Sequence, residues 1–215
     1  MQVTNNDDWA SDLKELLTSV YKSIACQDPG VGYLGMDIRR GKNLQDIYVS
    51  QPKLTKDILE MYLTAKDRVA PTPSRLDILS FDEPTDQSLL EPVNVSEYLS
   101  LVMKLMYLAR LTRPDILFSV SYLATKSQNP TLQNYNDAIR VVRYLLGTSS
   151  YGIHIHCVDW NLYAHCNVSY DTHHDGKGQS GFIFSLGSTY SYLIVSLTGD
   201  RINAATLQKK LLNRF

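Results

Sequence analysis

The sequence predicts an α+β protein, because two different textures follow one another along the chain. Up to residue 148 apolar side chains recur three and four positions apart, the spacing of amphipathic helices, with one Pro-rich interruption. Beyond Gly147 this spacing gives way to short β-branched and aromatic runs parted by Gly, Asp and His. The expected architecture is a helical unit with a small hairpin over residues 1–148, then a smaller β-rich unit over residues 149–215.

The elements can be argued in order. Asp12 to Tyr21 places Leu13, Leu16, Leu17 and Val20 on one helical face. Tyr33 to Ile38 and Asp46 to Ser50 read as short strands, with Gly41, Lys42 and Asn43 as the hairpin turn. Gln51-Pro52 opens a helix through Leu63, since the amide hydrogen that proline lacks has no partner in a first turn. Its inward residues should be Leu54, Ile58, Met61 and Tyr62. From Val69 to Val95 four prolines and several acids forbid a regular element, so a surface-lying connector is expected.

Three longer helices should follow. Ser96 to Leu111 turns Leu101, Leu105, Leu108 and Ala109 inward. Thr112-Arg113-Pro114-Asp115 resembles a capping box opening a helix to Lys126, and Asn129-Pro130-Thr131 opens another that stops at Gly147. Strands are expected at Tyr151–Cys157, Leu162–Ser169, Gly181–Leu186 and Tyr190–Leu197, and a helix at Asn203–Leu212.

Composition narrows the function. With 21 basic against 22 acidic residues the net charge is -1, so bulk charge gives no support to a dedicated nucleic-acid binder. A local basic face remains open. Lys104, Arg110 and Arg113 in the first two long helices, with Arg140 and Arg143 in the third, could touch phosphates without reading sequence; solvated helix faces explain them equally well, and Arg113, next to a helix start, has a structural role open to it as well. Three cysteines, Cys26, Cys157 and Cys166, are too few for a disulfide framework and read as reduced intracellular thiols. The polar, acidic start is unlike a signal peptide, and no apolar run approaches the roughly 20 residues that span a bilayer. A cytoplasmic or nuclear protein is expected.

Four stretches, taken in order, resemble one family. Tyr33-Leu34-Gly35-Met36-Asp37-Ile38, Thr72-Pro73, Leu105-Met106-Tyr107-Leu108-Ala109 with Thr112-Arg113-Pro114-Asp115-Ile116, and Arg143-Tyr144-Leu145-Leu146-Gly147-Thr148 are similar to segments that follow the polymerase palm in copia-type retrotransposon reverse transcriptases. The resemblance implies that residues 1–148 are a thumb- or connection-like region gripping an RNA–DNA template-primer. It also implies that residues 149–215 begin an RNase H-like domain, with Asp175-Gly176-Lys177-Gly178-Gln179-Ser180-Gly181 as a hairpin of that domain.

The chemistry of that family needs carboxylates around two metal ions. No Tyr-x-Asp-Asp occurs; the pair Asp7-Asp8 lies in a polar tail and reads as a solvated helix start. Asn167, in Asn167-Val168-Ser169-Tyr170, stands where the resemblance places the first RNase H carboxylate, and a neutral amide holds a hard cation poorly. No glutamate follows Glu97. The expected function is therefore a remnant of a Pol polyprotein: weak, non-specific binding of RNA–DNA hybrid, no catalytic residues, no cofactor where the parent family uses magnesium, no membrane, and other parts of the polyprotein as possible partners. An enzyme reading survives as an alternative, a divergent RNase H with displaced ligands Asp171, Asp175 and Asp200. A third is a zinc-stabilised module using His154, His156, His165 and Cys166; the spacing lacks paired zinc knuckles, so strand and turn residues are the favoured explanation.

Overall fold

In the computed structural model, residues 7–21, 33–41, 46–78, 87–156, 161–169, 178–186 and 192–193 are described. The chain forms two compact units, Met1–Val31 and Gly32–Phe215. The first holds α1 (Asp7–Val20), where Leu13 and Leu17 are half-buried while Leu16 and Val20 on the same stripe are exposed.

In the second unit Tyr33 and Met36 exchange backbone hydrogen bonds of 3.0 and 2.9 Å around Leu34 and Gly35. Both central residues have positive φ, 51° and 74°, the geometry of a tight hairpin turn. The stretch expected to be a strand from Tyr33 is therefore a turn first. The strand β1 (Asp37–Arg40) starts after it and pairs antiparallel with β2 (Asp46–Ser50). The turn between them at residues 42–45 lies outside the described residues.

Helix α2 (Pro52–Tyr62) follows with proline in its first turn, as expected. Ile58 is fully buried, but Met61 is 58% exposed, so the inward face is narrower than its sequence spacing suggested. Among its described residues the connector is irregular apart from a 3₁₀ turn at Gln87–Leu90, yet it is anchored: Ala70 and Ile78 are buried, and Ser119 Oγ lies 3.0 Å from Ser74 Oγ.

Helix α3 (Val95–Leu111) is the centre of the core. Asn94 caps it by accepting from the amides of Ser96 and Glu97, and Tyr98, Leu101, Val102, Leu105, Leu108 and Ala109 are buried. A 3₁₀ turn (Pro114–Ile116) leads into α4 (Leu117–Thr125), and α5 (Leu132–Gly147) completes the helices. Ile116, Val120 and Leu123 meet Val141, Val142 and Leu145 in one apolar cluster with α3 and Ile58. Tyr98 puts its hydroxyl into this cluster and donates to the Leu123 carbonyl at 2.8 Å; burial pushes its pKa well up, so it stays a neutral donor.

The expected capping box at Thr112 is not made. Thr112 closes α3 and donates instead to Gln51 Oε1 at 2.9 Å, because proline at 114 has already fixed the start of the next turn. The true capping box sits on α5, between Thr131 and Asn134.

Strand β3 (Ile153–His156) pairs antiparallel with β2, giving the sheet order β1-β2-β3. Residues expected to open the C-terminal β unit thus hydrogen-bond to the N-terminal hairpin. A second sheet contains β4 (Leu162–Ser169), β5 (Gln179–Leu186) and β6 (Tyr192–Leu193) in that order. The expected helix at residues 203–212 lies outside the described residues.

Candidate nucleic-acid interface

One stripe of α5 carries Gln133, Asn136, Asp137, Arg140 and Arg143, three and four residues apart and therefore on one side of the helix. The connector from Arg68 to Arg75 runs along this side. Two features hold it there. The Ala70 amide donates to the Arg143 carbonyl at 3.3 Å, and Val69 lies so close to Gly147 that a Cβ on the glycine would sit 2.4 Å from a Val69 methyl. Between helix and connector opens a cavity of about 310 Å³ whose lining includes four arginines, Arg68, Arg75, Arg140 and Arg143, and one carboxylate, Asp137.

The arginines differ in what neutralises them. Arg75 is held between Asp137, at 2.7 Å, and Asp77, at 2.8 Å; Asp137 dominates and raises the already high guanidinium pKa further. Arg143 pairs with Asp67 at 2.7 Å. Asp67 also accepts from the Thr64 amide and hydroxyl at 2.9 and 3.0 Å. The Thr64 amide, then Arg143, hold this carboxyl below its ordinary range.

Among the described residues Arg68 and Arg140 have no ion pair. Arg140 donates to Thr72 Oγ1 at 3.0 Å, while its Nε is buried without a hydrogen-bond partner. A guanidinium that lacks both a carboxylate and one of its hydrogen bonds favours an incoming anion, since its five donors match phosphate geometry.

The other residues proposed from sequence fall elsewhere. Arg113 is a correction: it is 1% exposed and cannot reach a phosphate. It pairs with Asp115 at 2.7 Å, donates to the Thr148 carbonyl and hydroxyl, and lies over the rings of Tyr144 and Tyr151. Lys104 is engaged with Ser100 Oγ at 2.9 Å, Tyr62 OH and Met61 Sδ. Arg110 is exposed in the last turn of α3 and does not line the cavity. Arg68 and Arg75 were missed, because a Pro-rich connector reads as a spacer and not as one wall of a site.

Asn167 is exposed on β4, opposite Gly181 of β5. Asp171, Asp175 and Asp200 lie outside the described residues, as do Cys26, Cys157, His173 and His174. Of the histidine cluster, His154 and His156 come together on β3, whereas His165 and Cys166 are exposed neighbours on β4 in the other sheet. No described helix is long and apolar enough to cross a membrane.

Comparison with known proteins places the chain among mobile-element sequences. It is 32% identical over 162 residues to the retrovirus-related Pol polyprotein from transposon RE2 of Arabidopsis thaliana, covering 72% of this chain and 10% of that polyprotein. It is 27% identical over 141 residues to the corresponding polyprotein from transposon TNT 1-94 of Nicotiana tabacum, covering 64% of this chain and 11% of the relative. An uncharacterized mitochondrial protein of Arabidopsis thaliana is 28% identical over 146 residues, 67% of this chain and 58% of the relative. The chain thus spans a little over half of the mitochondrial relative and about a tenth of the polyproteins. No family model and no solved structure matches. Across most of its length, at modest identity, this chain is homologous to the retrovirus-related Pol polyproteins of copia-type transposons.

Proposed function

We propose that the chain corresponds to a duplex-gripping part of a Pol polyprotein, holding an RNA–DNA hybrid by its sugar-phosphate backbone and carrying out no chemistry itself. The observation that supports this is the pair Arg68 and Arg140 beside the cavity along α5, two guanidiniums that among the described residues have no ion pair. Contacts of this kind position a duplex and read no bases. Lack of catalysis is supported by the chain's own residues, which include no Tyr-x-Asp-Asp, and by the amide of Asn167 at the position the resemblance gives to a metal-binding carboxylate.

The test is retention of a labelled RNA–DNA hybrid across a salt series. Affinity should fall steeply with salt and hardly change with sequence, because counterion release dominates. Replacing both Arg68 and Arg140 with glutamine should flatten the logarithmic salt slope by about two, roughly one per phosphate contact. No retention of hybrid by the unaltered chain at low salt refutes the proposal, and so does an unchanged slope in the double variant.

A further inference from the structure

We propose that Asp46, His154 and His156 form a binding site for a divalent first-row transition ion, zinc being the expected occupant. The site is independent of the nucleic-acid reading and lies on the three-stranded sheet. Register puts Asp46 opposite His156 and Tyr48 opposite His154, and side chains two apart on a strand share a face. All three donors therefore project from one side of the β2–β3 ladder. Ile47, Val49, Ile153 and Ile155 occupy the other side.

The donors already converge. His154 Nε2 lies 2.8 Å from Asp46 Oδ1 and His156 Nδ1 lies 2.7 Å from the same oxygen. All three ligand atoms fall within 4.8 Å of one another. Zinc with bonds of about 2.0–2.1 Å in tetrahedral geometry holds its ligand atoms roughly 3.3 Å apart. Small side-chain adjustments bring the donors to this spacing, and the imidazoles are 47% and 35% exposed, so there is room for them.

The donor set selects the class of ion. Two neutral imidazoles and one carboxylate suit zinc and its first-row neighbours, whereas magnesium and calcium want oxygen alone. Three protein donors leave a fourth position for water. The surroundings orient the set. Tyr48 stacks on His154 with ring centroids 4.4 Å apart and planes 6° from parallel, which fixes the direction of Nε2. The Gly41 amide donates to the Asp46 carbonyl at 2.8 Å, and a Cβ at Gly41 would come within 2.5 Å of Asp46 Cβ, so only glycine lets the backbone approach there.

The full chain, freed of metal by a chelator and dialysed, is titrated with zinc alone by calorimetry and with cobalt(II) alone by visible absorption. One zinc per chain should bind, and cobalt should give the intense bands of a four-coordinate site. Asp46→Asn and His154→Gln keep size and hydrogen bonding, and each should weaken zinc by more than about tenfold, the scale on which even outer partners act. His165→Ala should bind as the unaltered chain does. The far-ultraviolet melt of each metal-free variant establishes that it is folded. Failure of the unaltered chain to bind zinc overturns the proposal, showing that the cluster is an ion-paired His–Asp–His surface. Equal loss in His165→Ala overturns it too, as does undiminished binding in folded Asp46→Asn and His154→Gln.

Discussion

Arg113 donates two hydrogen bonds to Thr148, one to its carbonyl at 2.8 Å and one to its hydroxyl at 2.6 Å. The segment just beyond α3 is thereby tied to the residue that caps the end of α5. The same guanidinium forms a two-armed pair with Asp115, at 2.9 and 2.7 Å. Two of the motifs that mark the family resemblance, Thr112-Arg113-Pro114-Asp115-Ile116 and Arg143-Tyr144-Leu145-Leu146-Gly147-Thr148, are thus two halves of one joint around the buried Arg113 side chain.

Arg113→Ala should therefore act on stability. Breaking a fully buried pair costs about 3–5 kcal/mol, and because Asp115 is partly solvated we expect roughly 2–4 kcal/mol. Urea denaturation measures it. Hybrid binding by the still-folded fraction should not change, and a selective loss of binding at unchanged stability would contradict the structural role.

Asp67 makes stability depend on acid. Its folded pKa is depressed below the ordinary value of 3.8, first by the Thr64 amide and then by Arg143. Its contribution is therefore complete above that value and is lost as pH falls through the depressed one. Asp67→Asn should lower the urea midpoint at pH 7, and the difference from the unaltered chain should shrink below about pH 3.8. A gap that is constant from pH 7 to pH 3 would show that the carboxyl titrates identically in both states.

The same substitution should sharpen hybrid binding. Without Asp67, Arg143 becomes a third guanidinium beside the cavity with no carboxylate opposite it. The salt slope of Asp67→Asn should steepen by about one contact, and an unchanged slope would place Arg143 outside the duplex footprint.

Gly152 stands where β3 approaches β2. A Cβ there would lie 2.4 Å from the Val49 carbonyl oxygen, which is backbone and cannot rotate away. Gly152→Ala should cost about 1–3 kcal/mol and weaken zinc binding at Asp46, His154 and His156, since their convergence depends on this pairing. Wild-type stability and zinc affinity in the variant would show that the strand shifts freely.

Asn167→Asp should produce no magnesium-dependent cleavage of RNA–DNA hybrid. Ligands of a two-metal site act as a unit, so one restored carboxylate achieves nothing alone. Cleavage by the unaltered chain, lost in Asp171→Asn or Asp175→Asn, would establish the alternative enzyme reading.

Local periodicity made the helices legible. The inward residues expected for α3, Leu101, Leu105, Leu108 and Ala109, are all buried, and β2 and β4 run over the spans their alternation indicated. What stayed hidden was non-local. Its place beside a helix start marks Arg113 as a structural candidate, but nothing local names Thr148 or Tyr151 as its partners. Nothing near His154 or His156 points to Asp46, more than a hundred positions earlier. The pairing of β3 with β2 has no local signal either, because no hairpin turn joins strands so far apart in sequence.

That pairing has a consequence for the order of folding. Asp46 and His156 are separated by 110 positions, while α3, α4 and α5 are near neighbours in sequence and can associate by short loop closures. On a ribosome the helices can assemble before β3 has been made, and meanwhile β2 has one side without its strand partner. Such a side is a template for another chain's strand. Nascent copies crowded on one messenger would then be at risk of joining edge to edge, and synthesis of residues 153–156 would end that window in each copy by supplying the missing neighbour from within.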